Sequence, residues 1–116
     1  MSQYYNRQGE SMTMFEWAVA FEDKDYKRVA LTEFAHLGVE VRVSTVWLGL
    51  DHNFGDDPPL IFETMIFGGS LDEDQKRYST EAEALAGHEA MVQKAHIAFA
   101  DDAAPPTTSR ATGEGE

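Results

Sequence analysis
The chain has no cysteine. That excludes disulfides, thiolate metal sites and cysteine nucleophiles, and it suits a reducing compartment. Positive charge is also scarce: nine Lys and Arg stand against 21 Asp and Glu, a formal net charge of −12. A basic face for phosphate backbones is therefore not expected, whereas acidic surface serves solubility or attracts a basic partner. No apolar run approaches the ~20 residues that span a bilayer. The opening residues, MSQYYNRQGE, hold no apolar segment of the secretory kind. We therefore expect a cytoplasmic protein that contacts neither membrane nor nucleic acid directly. There is no G-x-S-x-G, phosphate loop or dinucleotide fingerprint to announce catalysis.

What is present suffices for a core. Of 116 residues, 42% are hydrophobic and 11% aromatic, enough for one domain that folds without metal or disulfide. The stretch VSTVWLGLDHNFGDDPPLIFETMIFGG, Val43 to Gly69, organises the rest. Its two apolar runs, Val43 to Leu50 and Leu60 to Phe67, read as strands bounded by turn residues. The first follows a clean alternation in which Val39, Val41 and Val43 point inward and Glu40, Arg42 and Ser44 outward. Because its later part is wholly apolar, burial on both faces is expected there. Gly49 inside it implies a bulge or a close backbone contact.

Upstream, residues 1–12 are polar and read as a flexible N-terminus. Met14 to Asp23 fits strand or helix spacing; Thr13 and Glu16 form a capping box, which favours a short helix with Trp17 and Phe21 as core anchors. Asp23 to Asp25 reads as a charged turn. Tyr26 to Phe34 reads as a strand, with Arg28, Ala30 and Thr32 on one face and Val29, Leu31 and Glu33 on the other.

Downstream, Lys76 to Tyr78 suits a short, charge-blunted edge strand. Ser79 to about Ala98 is a helix opened by the capping box Thr80 to Glu83, with a stripe of Leu85, His88, Val92, Ala95 and Phe99 widened by Ala84 and Met91. Asp101 and Asp102 oppose the negative end of the helix dipole and should lie past its end. Residues 101–116, with Pro105 and Pro106, read as a disordered acidic tail, which leaves 13–100 as the single domain. The expected class is α+β: an antiparallel sheet of about three or four strands, a long C-terminal helix across one face, and a short N-terminal helix. One helix covers one face, so either the N-terminal helix covers the other or two protomers pair through it; the chain is a monomer or a homodimer.

Two segments, the central stretch and RYSTEAEALAGHEAMV, resemble small proteins without assigned activity that bacteriophages and actinobacterial genomes encode. Glu16-Trp17-Ala18 and Arg28-Val29-Ala30 fit the same pattern, so the resemblance spans roughly residues 16–92. It implies a phage or prophage setting inside a host cell and brings no catalytic residue with it.

The loop between the two strong strands is the foremost candidate site. Asp51, His52, Asn53, Asp56 and Asp57 put three carboxylates and an imidazole within seven residues. Such a set can hold a cation, present charge to a partner, or bond its own backbone in a rigid turn. An EF-hand register fails, because Gly55 comes one place early and Phe62 stands where the bidentate Glu belongs. His88-Glu89 opens like a zinc-protease motif, but Val92 holds the place of the second His. His96 lies ~80° round the helix from His88, so no same-face pair exists. His88 on the apolar stripe reads as a packed residue bonded to the sheet. Glu63, mid-strand, either faces solvent or needs a buried partner such as Arg28, Arg42 or His88.

No metal, cofactor or catalytic residue is assigned. The expected function is that of a small intracellular accessory protein that binds another macromolecule, a protein. The alternatives are an acidic inhibitor or nucleic-acid mimic aimed at a host nucleic-acid-binding or defence protein, and a metal-dependent enzyme built on Asp51 and His52 with Glu63 or His88. A contiguous acidic ridge would favour the inhibitor; carboxylates and imidazoles converging within ligand distance would favour the enzyme.

Overall fold
The computed structural model describes residues 3–36, 38–51 and 58–103. Two short strands, β1 (Tyr4–Tyr5) and β2 (Ser11–Met12), precede helices α1 (Met14–Glu22) and α2 (Lys24–Lys27). Strands β3 (Arg28–His36), β4 (Val39–Trp47), β5 (Phe62–Phe67) and β6 (Gln75–Tyr78) follow, and helix α3 (Glu81–Ala103) ends the described chain. The last four strands form one antiparallel sheet in the order β3-β4-β5-β6. The protein is thus α+β, with the long helix on the sheet and a short N-terminal helix. No helix among the described residues is long and apolar enough to cross a membrane.

Alternation in β4 and β5 decides which face is covered. Val41, Val43, Thr45 and Trp47 are buried, as are Phe62, Thr64 and Ile66. The register sets Trp47 opposite Phe62, Thr45 opposite Thr64 and Val43 opposite Ile66, so these residues share one face. Helix α3 lays Ala84, His88, Met91, Ala95 and Phe99 on it, all buried, at the spacing of a helical stripe. Val43, Ile61, Phe62 and Ile66 are almost wholly removed from water, worth ~1.5–3 kcal/mol each. One apolar cluster gathers Val43, Ile66, Met91 and Phe99; the other gathers Trp47, Ile61, Phe62, Tyr78 and Ala84.

The expected capping boxes hold. Thr13 Oγ1 accepts from Glu16 N and Glu16 Oε1 from Thr13 N; Thr80 and Glu83 do the same for α3. In α1, Trp17 and Phe21 turn to the second cluster. Their rings stack at 4.9 Å, and Trp17 Nε1 donates to Leu48 O at 2.9 Å. Gly49 has φ +72°, and a Cβ there would collide with the rings of Trp47 and Trp17, which is the close approach its position implied.

Several expectations need correction. Residues 4–12, read as flexible, pair as a hairpin, Tyr4 with Met12 and Tyr5 with Ser11. Trp47 Nε1 donates to Tyr5 O at 2.9 Å, and Arg7 Nε reaches Glu81 Oε1 at 2.8 Å. Asp23 is a cap rather than part of a turn: its carboxylate accepts from Asp25 N and Tyr26 N and starts α2. A bulge between Arg28 and Ala30 sets Arg28 opposite Val46 and Ala30 opposite Thr45, so Arg28 leaves the face of Ala30 and Thr32. Leu85 is 45% exposed while Ala84 is buried. The ~100° step between them leaves room for only one, and the small Ala84 and Gly87 let the helix close on the sheet. Helix α3 runs through Asp101 and Asp102 to Ala103. An acid at that end of a helix opposes the dipole by only ~0.3–1 kcal/mol, and Ala98, Ala100 and Ala103 are strong helix formers. Helix α1 packs on the α3 side, against Trp47, and so does not cover the second face. That face, with Leu31, Arg42, Ser44, Val46 and Phe67 at least partly exposed, is left open by the described residues. The C-terminal residues 104–116 lie outside the described residues.

Candidate functional site
Of the loop candidates, His52, Asn53, Asp56 and Asp57 lie outside the described residues. Asp51 joins the loop's two ends to the N-terminal segment: its N–H donates to Gln3 O at 2.9 Å, and its Oδ1 accepts from Leu60 N at 3.4 Å. Glu63 sits on the open face beside Arg77, whose Nε is 3.1 Å from Glu63 Oε2. Arg77 is therefore its partner, not Arg28, Arg42 or His88. His88 lies on the opposite, covered face. Glu63 and His88 thus lie on opposite faces, and no three His, Asp or Glu among the described residues gather as metal ligands.

His88 is held from both sides. Its Nδ1 is 2.7 Å from Thr45 Oγ1, and its Nε2 is 2.9 Å from Thr32 Oγ1. Thr45 Oγ1 in turn meets Thr64 Oγ1 at 2.5 Å. Each of the two neutral tautomers completes this chain, because every hydroxyl can donate to one neighbour and accept from the other. Burial lowers the pKa of His88; the field of Glu89 opposes this more weakly. With 1% of its surface exposed, the imidazole serves to register α3 on the sheet. It lies between the two apolar clusters, bonded directly to β3 and β4 and through Thr45 to β5. Nearer the C-terminal end of the helix, His96 stacks on Phe34 with centroids 4.0 Å apart.

The open face carries the residues that sequence reasoning did not assemble. A shallow groove of about 330 Å³ is floored by Leu31, Ser44, Val46 and Phe67. Lys24, Lys27, Arg28 and Arg42 surround it. These are four of the chain's nine Lys and Arg. The ion pairs among the described residues use Arg7, Arg77 and Lys94 and none of these four. Two of the four rest on aromatic rings: Lys27 Nζ lies 4.0 Å from the Phe21 centroid, and the Arg42 guanidinium 4.9 Å from that of Phe67. That contact is worth ~0.5–1 kcal/mol at exposed sites and leaves the charge unneutralised. Toward the far end of β3 and β4, a second hollow of about 560 Å³ has Glu33, Glu40 and Arg42 in its lining, so acids join the cations at that end.

Part of this was readable. The alternation over Val39 to Ser44 put Arg42 and Ser44 outward. Arg28 joins them only through the bulge, and Lys24 and Lys27 only through the turn of α2; neither device has a signal in the residue pattern. The outer side of α1 exposes Met14, Phe15 and Val19 still more fully, Phe15 to 77%, with the acids Glu16 and Glu22 on the same helix and no cation on it.

The sequence matches no protein-family model, and no curated protein and no solved structure matches it.

Proposed function
We propose that this chain is a small accessory protein, of the phage or prophage type, that works by binding another protein through the open face of its sheet. The observation that carries the reading is the groove on that face: an apolar floor ringed by four cations that no carboxylate among the described residues neutralises. Rigid sheets with partly exposed apolar residues and unspent charge are association surfaces. On the covered face, His88 and its threonines satisfy one another.

The acid distribution favours this reading over a nucleic-acid mimic. Glu16 and Glu83 are engaged in helix capping, Asp23 caps α2, and Asp74 and Glu81 pair with Lys94 and Arg7. The other acids among the described residues are spread over helices, turns and strands, with a basic groove among them. A cytoplasmic site of action follows from the phage setting that the resemblance implies.

The test compares capture from an extract of the host cell by wild-type protein, by Leu31→Asp with Phe67→Asp, and by Phe15→Ser. A partner retained by Phe15→Ser and lost only with the sheet-face variant supports the reading. A partner lost only with Phe15→Ser moves the function to α1 and contradicts it.

A further inference from the structure
The groove has an internal order that specifies what it accepts. Arg28 stands opposite Val46, Leu31 opposite Ser44, and Arg42 opposite Phe67 on its other side. Val46 and Arg42 are four residues apart on β4, a separation of ~13 Å along the strand. The face thus reads cation, apolar, cation along the strands, with Lys24 and Lys27 of α2 adding charge at the Arg28 end. In an extended chain, side chains at alternate positions share one side, and positions four apart span the same ~13 Å.

We infer that the groove receives an extended segment of a protein partner with acidic residues two positions before and two positions after an apolar one. One carboxylate meets Arg28, Lys24 and Lys27, the other meets Arg42, and the apolar side chain rests on Leu31, Val46 and Phe67. The inference rests on the open face being the binding surface and adds the chemistry of its partner. Charge complementarity selects the occupant. Extended polyanions are repelled by a net charge of −12, whereas a short segment lies within the ~8 Å screening length of the four cations at physiological salt. An apolar floor also gives a phosphodiester backbone nothing to bury.

The other charged groups on this face are identified. Glu63 is spent on Arg77. Glu33 stands opposite Arg42 in the ladder without forming one of the ion pairs described, and it is the acid that an incoming carboxylate must outcompete. Glu40 lies beyond it, in the hollow that Glu33 and Arg42 also line.

The test titrates isotope-labelled protein, followed by amide resonances, with a short Ser-rich peptide bearing Glu, Leu and Glu at alternate positions. A peptide with Lys in place of Glu and a short single-stranded DNA are titrated in parallel. The expected result is that the acidic peptide shifts residues 28–32 and 42–46. Arg28→Glu with Arg42→Glu should weaken it by at least about tenfold, Arg28→Gln with Arg42→Gln by less, and Glu33→Gln should tighten it. Circular dichroism confirms that each variant folds. No shift at these residues, or equal affinity in the charge-reversed variant, overturns the inference. So does DNA binding at the same residues as tightly as the acidic peptide. If the Lys peptide binds this face instead, the partner chemistry is wrong while the open-face reading survives. If no peptide perturbs the face, both fall.

Discussion
Replacing His88 by Leu tests whether the imidazole is a strut of the fold or a reactive group. The two side chains are similar in size, so little cavity is left and the change is mainly one of hydrogen bonding. Two bonds go, the 2.7 Å contact with Thr45 and the 2.9 Å contact with Thr32. Thr45 keeps Thr64 as a partner, while Thr32, half-buried, loses the contact that satisfied it. Net bonds of ~0.5–1.5 kcal/mol and one stranded hydroxyl give an expected cost of ~1–3 kcal/mol near neutral pH. At ~4–8 °C per kcal/mol for a domain of this size, the melting temperature should fall by ~4 °C or more. Removing the threonine hydroxyls as well, with Thr32→Val, Thr45→Val and Thr64→Val, should recover most of the loss, since replacing all partners strands none.

The pH dependence has a definite sign. Burial lowers the His88 pKa in the folded state, below the ~6.5 of a free imidazole. Above pH ~6.5 neither state binds the proton, and stability is full. As pH falls from there toward the lowered folded value, the unfolded chain takes up a proton that the folded chain refuses, and stability is lost. His88→Leu removes that contribution, so the gap between variant and wild type should narrow between pH 7.5 and 5. Urea unfolding at both values measures it. A His88→Leu protein as stable as wild type, or a gap that does not change with pH, would refute the strut and reopen a ligand or base role.

Gly87→Ala should destabilise. The helix propensity gained, ~0.8–1 kcal/mol, is outweighed by overpacking of ~1–3 kcal/mol, because the new Cβ would collide with the buried phenol of Tyr78; a raised melting temperature would mean that this ring has somewhere to go. Ile66→Ala should cost ~2–5 kcal/mol by chemical denaturation, whereas Leu85→Ala, on the exposed flank of α3, should cost under ~1 kcal/mol; equal costs would contradict the helix register. Light scattering at several concentrations should report a monomer, since two copies each carrying −12 would have to bring their charged open faces together; mass that rises with concentration would show self-association.

The elements legible in the sequence are those in which local pattern and tertiary burial agree. Val39 to Trp47 and Phe62 to Phe67 alternate with the pleat. Thr13 with Glu16, and Thr80 with Glu83, announce their helices. The misreadings share a cause: tertiary packing chose between locally equivalent options. Ala84 and Leu85 fit the α3 stripe equally well, and the small residue faces the sheet because the helix sits close over Tyr78. The bulge beside Arg28 inserts one residue and flips its neighbours, which no alternation reveals. The N-terminal hairpin has too few residues for a period, and its anchors, Trp47 Nε1 on Tyr5 O and Arg7 on Glu81, are long-range. The groove depended on that bulge and on the short helix capped by Asp23, so its four cations stayed scattered in the linear reading.

Helix α3 seals one face of the sheet, and the described residues leave the other exposed. Because the chain has no cysteine, single thiols report on each face cleanly. Leu31→Cys on the open face and Val43→Cys beneath α3 are to be reacted with a thiol reagent under native conditions. Fast modification is expected at position 31, slowed by the acidic peptide, and protection at position 43 until the protein unfolds. Protection at both positions in dilute protein would mean that the second face is covered, and would contradict the account.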